Sequence, residues 1–235
     1  MNAKDYAMLW TADMLMGPNS ARILEALLER FPTQLNKGHT ILDLGCGKGL
    51  TSLMLARETG AKVYANDLWI KAEDNAKRFE SWGMAEQILP VHEDANELHF
   101  EKKQFDALFS IDSYHYFAGE KGFFAQKILP FLADGAGVWI GVPGIQNEFT
   151  GRSEELLSAW LGEEAYMFKS ADAWKDIIGS DERIQTVETW EMDCFDAAWE
   201  EWFATGNPYA EGDRQHFESL IRPYTCFVGI YIQIK

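Results

Sequence analysis

The stretch Thr40-Ile-Leu-Asp-Leu-Gly-Cys-Gly-Lys-Gly-Leu50 decides the fold. Its first half is a short apolar run, its middle holds three glycines at alternate positions, and Leu50, Leu53 and Met54 then recur at helical spacing, which reads as strand, glycine loop and helix. The pattern continues outward. Lys62 to Ala65, Ile88 to His92, Phe105 to Ile111 and Gly137 to Val142 read as strands, with helices expected over Lys71 to Trp82 and Glu120 to Phe131. Alternating strands and helices specify a parallel sheet covered on both faces, with the ligand at the carboxyl ends of the strands. Beyond Asn147 the texture changes. Helical stretches fall at Ser153 to Leu161, Ala171 to Ile178, Phe195 to Phe203 and Asp213 to Ile221, and strand-like ones at Gln185 to Met192 and Cys226 to Ile234. The expected fold is an α/β, doubly wound, mostly parallel sheet with helical C-terminal insertions forming a cap. One domain spans 1–235, with an N-terminal helical lid over 1–37, a core over 38–146, and cap insertions plus closing strands over 147–235.

Composition narrows the function. Apolar residues make up 47% of the 235 and charged residues 25%, which excludes a disordered or fibrous chain. Thirty-seven acidic residues against 21 Lys and Arg give a net charge of −16, unfavourable for binding nucleic acid or anionic lipid. No apolar run approaches the roughly 20 residues of a membrane span, and the opening MNAKDYAMLW lacks the features of a secretory leader, so a cytoplasmic protein is expected. Cys46, Cys194 and Cys226 read as reduced packing thiols, and the five histidines lack metal-ligand spacing, so no metal site is expected.

The glycine loop lets the backbone approach a ligand while turning tightly. Asp67, about 20 residues on at the end of the second strand, is placed to accept hydrogen bonds from both ribose hydroxyls of an adenosine. Asp94 and Ala95 follow the third strand, where a carboxylate can accept from an exocyclic amine. The glycines run GxGxG, without the third glycine at the dinucleotide spacing, and Asp43 is expected at the mouth of the loop. A carboxylate there disfavours a diphosphate and favours an ammonium or sulfonium, so a cationic adenosine ligand fits better than NAD.

Ile41 to Gly49, Asn66-Asp67, Asp94-Ala95 and Phe105 to Asp112 together resemble the class I S-adenosylmethionine (SAM)-dependent methyltransferases, in particular their small-molecule "type 11" branch. The resemblance covers roughly residues 40 to 142. It implies that Gly45, Gly47 and Gly49 wrap the methionine and ribose portions of SAM, that Asp67 holds the ribose and Asp94 the adenine amine, and that Ile111 and Asp112 line the sulfonium side. Asp43, Cys46, Leu68 and Ala95 complete the expected cofactor-binding set, with S-adenosylhomocysteine as product.

The methyl acceptor should arrive beside Ser113 to Phe117. His115 is a candidate base for an attacking amine or hydroxyl, although an amine that arrives neutral needs none, and packing explains His115 equally well. Tyr114, the second candidate, could join Tyr116 and Phe117 in an apolar or cation-holding wall. Tyr6, Trp10, Met14 and Met16 recur at helical spacing and suggest a lid helix, or one packed on the sheet. Five tryptophans after residue 150 can wall a pocket or fill a core, and Arg214 could pair with a substrate carboxylate. The expected activity is methyl transfer from SAM to a nitrogen or oxygen of a small-molecule acceptor, by a monomer or homodimer. The alternatives are a SAM-binding domain without turnover and a nicotinamide-dependent oxidoreductase.

Overall fold

A computed structural model describes residues 1–235. Strands β1 (Thr40–Leu44), β2 (Lys62–Asn66), β3 (Ile88–Val91), β4 (Phe105–Ile111), β5 (Leu132–Ile145), β6 (Ile184–Met192) and β7 (Thr225–Ile234) form one sheet in the order 3-2-1-4-5-7-6. The first five are mutually parallel, while β7 lies antiparallel between β5 and β6. The chain winds from β1 to β2 and β3 in one direction and then crosses back to β4 and β5. The carboxyl ends of β1 and β4 therefore part at a switch point, where such sheets bind ligands.

Helices α1 (Ser20–Arg30), α2 (Leu50–Thr59), α3 (Ala72–Ser81), α4 (Ser153–Leu161), α5 (Ala171–Ile178), α6 (Phe195–Ala204) and α7 (Pro208–His216) cover the sheet. Alternation along β1 assigns its faces. Ile41 belongs to the core under α1, α2 and α6, and Leu42 and Leu44 to the opposite core with Phe124 and Trp174. Helix α2 is buried from Leu50 to Ala56, and no helix is long and apolar enough to cross a membrane.

Three local expectations fail for identifiable reasons. Glu120 to Phe131 holds only a wide helical turn, Phe124–Ile128, and a 3₁₀ turn, Leu129–Phe131, because Pro130 supplies no N–H to continue a helix. The N-terminal apolar spacing does not make a lid helix. A 3₁₀ segment, Ala3–Leu9, ends before Trp10, and Pro18 delays the true helix to Ser20, with Asn19 accepting from the Ala21 N–H at 3.0 Å. The last helix begins at Pro208, ahead of the expected Asp213, since Asn207 caps it by accepting from the Tyr209 N–H.

An ion-pair cluster fastens α6 to the start of the chain. Glu201 accepts from Arg22 Nε and Nη2 at 2.8 and 2.6 Å and from the fully buried Asn19 amide at 2.7 Å. Removing the carboxylate orphans three donors at once, so Glu201→Ala should lower the urea-unfolding free energy by about 2–3 kcal/mol. Glu201→Gln, which keeps an acceptor, should lose less, and equal losses in the two variants would argue against the pairing.

Candidate functional site

A cavity of about 360 Å³ opens at the switch point. Its walls are the residues that leave the strand ends: Leu44 to Lys48 after β1, Asn66 to Trp69 after β2, Glu93 to Asn96 after β3, and Ile111 to Ser113 with Tyr116 and Phe117 after β4. Met14 to Pro18 close it from the N-terminal side.

The loop after β1 is fixed by close approaches that only glycine permits. Gly45 has φ 77°, and a Cβ there would lie 2.3 Å from Ser113 Oγ; Gly49 has φ 83°, and its Cβ would lie 2.4 Å from the Phe79 ring. The Gly45 and Cys46 N–H groups donate to the Asn66 carbonyl at 2.8 and 3.0 Å, and Ser113 Oγ donates to the Leu44 carbonyl at 2.9 Å. Asp67 joins two loops. Its Oδ2 accepts from the Gly47 N–H at 2.7 Å, and its Oδ1 accepts from the Trp69 and Ile70 N–H groups, both at 2.8 Å. Asn66 exchanges two hydrogen bonds with the Glu93 backbone, drawing the turn after β3 against β2. Asp94, whose carboxyl is held below its usual range by the Asn96 N–H and side-chain amide, faces the cavity beside Ala95.

Gly45, Cys46, Gly47, Asp67, Leu68, Asp94, Ala95 and Ile111 therefore share one cavity wall, and Gly49 closes the loop behind it. Asp43 does not reach the mouth of the loop. Strand alternation turns it under α2, where Oδ2 accepts from Thr51 and Ser52 hydroxyls at 2.8 and 2.6 Å and burial pushes its carboxyl up to about 6. The carboxylates that face the cavity are Asp67, Glu93, Asp94 and Asp112.

Neither candidate catalytic side chain lines the cavity. Tyr114 is fully buried among Phe117, Phe123 and Trp174, and burial raises its hydroxyl far above its usual range. His115 is 5% exposed, its Nδ1 has no partner, and burial lowers its imidazole to about 3, so it is neutral and at most a weak proton acceptor near neutral pH. Tyr116 reaches the wall instead, edge-on to Trp69 with ring centroids 5.0 Å apart. Of the late tryptophans, Trp174, Trp199 and Trp202 are core residues. Arg214 is turned toward the Phe203 ring and carbonyl and does not line the cavity. Trp69 and Glu93 escaped the sequence reading; their position just past strand ends was the available signal.

Asp112 is the unusual acid. It holds a left-handed φ of 57°, its N–H donates to the Gly141 carbonyl at 2.7 Å, and no donor meets its carboxyl group. Burial, then the charge of Asp213 on α7, pushes it up to about 7. Tyr116 is raised in turn by burial and by the charges of Asp112, Glu164 and Asp213.

Residues 41–135 match a family model described as a methyltransferase domain. Methyltransferase GfsG of Streptomyces halstedii is 36% identical over 93 residues, 39% of this chain, and the match spans about a third of that relative (33%). Among solved structures, a phosphoethanolamine N-methyltransferase 2 of Haemonchus contortus with bound SAM superposes with a TM-score of 0.72 at 20% identity, covering 94% of this chain and 54% of that one. The geranyl diphosphate C-methyltransferase of Streptomyces coelicolor, solved with S-adenosylhomocysteine, gives 0.70 at 15% identity, covering 91% and 77%.

The unusual titrations predict opposite pH effects. Asp112, raised from 3.8 to about 7, favours the fold most fully below about pH 4 and loses that contribution as pH rises through about 7. The melting temperature of Asp112→Asn should therefore gain on wild type between pH 4 and pH 8; a constant difference would contradict the burial. His115, lowered from 6.5 to about 3, favours the fold above pH 6.5 and loses that contribution toward pH 3. Its imidazole NMR signals should not titrate between pH 5 and 8, and an inflection near 6.5 would restore it as a candidate base. Residues 41–135 carry the methyltransferase-domain pattern, and the whole chain has the Rossmann-like fold of the class I methyltransferases.

Proposed function

We propose that this chain is an enzyme that transfers a methyl group from SAM to a nitrogen or oxygen of a small molecule. The observation that carries the reading is the convergence of four strand ends on one cavity, with a glycine loop on one side and acceptor side chains on the other. The donor set suits SAM: it offers carboxylates to hydroxyls, an amine and a positive charge, and its one cation, Lys48, is held by the Asp13 carbonyl and carboxylate.

Bound SAM supplies an electrophilic methyl group on a sulfonium. The chain's own residues supply position and enclosure. Asp67 retains lone pairs for ribose hydroxyls beyond the three N–H groups it already accepts, and its place between two loops means that a bound ribose would lock both. Asp94 would accept from the adenine amine, Leu68 would give the base an apolar neighbour, and the backbone of Gly45 and Gly47 would follow the methionine portion. Ile111 and Asp112 would line the sulfonium side. Met14, Met16 and Pro18 would help to exclude water, and the acceptor would enter beside Tyr116.

The solved relatives act on different molecules, a geranyl diphosphate carbon in one and the phosphoethanolamine nitrogen in another, so the acceptor is argued from this chain's own wall. Calorimetry with S-adenosylhomocysteine tests the cofactor. Binding to wild type, at least tenfold weaker in Asp67→Ala (about 1.5 kcal/mol), is expected for a lost charge-assisted hydrogen bond. Thermal stabilisation by NAD in its place would point to a nicotinamide oxidoreductase, and binding without turnover of any amine, phenol or carboxylate would point to a SAM-binding domain.

A further inference from the structure

Resting on the methyltransferase reading, we propose that the acceptor is an amine bound as its ammonium, seated between the Asp112 carboxylate and the Trp69–Tyr116 pair.

Charge makes the first argument. The cavity presents Asp67, Glu93, Asp94 and Asp112 against Lys48 alone, and Lys48 is occupied by Asp13. With Asp67 and Asp94 given to the ribose and adenine, a phosphorylated or carboxylated acceptor would still meet the Asp112 carboxyl and no free lysine or arginine. Three of those acids are already served by N–H donors: Asp67 by Gly47, Trp69 and Ile70, Glu93 by His99, and Asp94 by Asn96. Only the Asp112 carboxyl has no donor, although its surroundings push it toward the neutral form.

Position makes the second. The bond from the Asp112 N–H to Gly141 anchors its backbone, and a Cβ on Gly17 would come within 2.9 Å of Oδ2, so the wall is shaped around this carboxyl group. On α7, Asp213 accepts from the indole N–H groups of Trp160 and Trp202 at 3.2 and 3.0 Å, and its charge acts on Asp112 and Tyr116. Two neighbouring acids repel unless a cation lies near them. His115, in ring contact with Tyr116, is buried, and burial lowers its imidazole, so it brings no compensating charge.

Aromatic surface makes the third. Trp69 is 64% exposed and Tyr116 44%, and they meet beside the cavity. Large rings held in water beside carboxylates recognise ammonium groups through the ring quadrupole. Transfer then requires the ammonium to hand one proton to Asp112, leaving R–NH2 with its lone pair and Asp112 as the neutral acid that its burial favours.

The test uses the full chain saturated with S-adenosylhomocysteine, titrated with benzylamine, benzyl alcohol and benzoate and with n-butylamine, n-butanol and butyrate, read by calorimetry and indole fluorescence. An amine should bind at least tenfold more tightly than its matched alcohol, with no detectable carboxylate binding. Asp112→Asn, likewise saturated with S-adenosylhomocysteine, should cost the amine at least tenfold and the matched alcohol less than twofold. Asp213→Asn provides a second variant with a smaller loss of the same kind. Alcohol or carboxylate binding equal to the amine, no amine binding to protein that binds S-adenosylhomocysteine, or full amine affinity in both variants would overturn the proposal. Failure of wild type to bind S-adenosylhomocysteine at all would instead sink the methyltransferase reading, and this one with it.

Discussion

The site depends on one carboxylate. Asp67 holds the N–H of Gly47 with one oxygen and those of Trp69 and Ile70 with the other, so the loops after β1 and β2 keep a common geometry. Without it, Gly47 would keep its left-handed φ of 54° but lose the acceptor that orients its peptide. The glycine loop is otherwise braced from behind, by Ser113 against Gly45 and by Phe79 against Gly49. These contacts are steric and set where the loop cannot go. The Asp67 bonds set where it does go, which is why a single acid can both build the rim and present lone pairs to a ligand.

Around that rim the fold tolerates charge that a core would reject. Asp43 within β1 and Asp112 just past β4 are treated in different ways. Asp43 is sealed under α2, and two hydroxyls offset part of the cost of burying it. Asp112 has no such compensation, and the charge of Asp213 adds to its burden. An acid satisfied by its own protein is explained by structure; an acid left without donors on a cavity wall is explained better by what enters the cavity. Stability given up at a site of this kind is a common cost of function.

The parallel core was legible because its determinants are local. Strand, glycine loop and helix follow one another within eleven residues, and Asp67 and Asp94 stand immediately past strands whose apolar runs are plain in the sequence. The rest was set by information the local pattern does not hold. Asp43 and His115 are polar residues next to the site in sequence, but β1 alternation turns the first under α2, and the short turn after β4 packs the second against Phe168 and Tyr116. Periodicity over Glu120 to Phe131 was real as apolar spacing, yet Pro130 and the left-handed Gly122 broke the helix it implied. The partnership of Asp213 with Trp160 and Trp202 joins residues up to 53 positions apart, a contact that no single-sequence period encodes.

Those distant contacts give the cap its second role. Glu201 on α6 grips Arg22 and Asn19 at the start of α1, and Asn207 donates to the Ala12 carbonyl at 2.8 Å, so the same helical insertion that carries Asp213 also holds the segment that covers the cavity. Lys48 in the glycine loop reaches Asp13 in that segment, which closes the circuit from the other side. The N-terminal segment that covers the cavity is thus tied to α6 through Glu201, to α7 through Asn207 and to the glycine loop through Lys48. Directed polar bonds of this kind fix where the cover lies, whereas apolar packing alone would leave it free to slide.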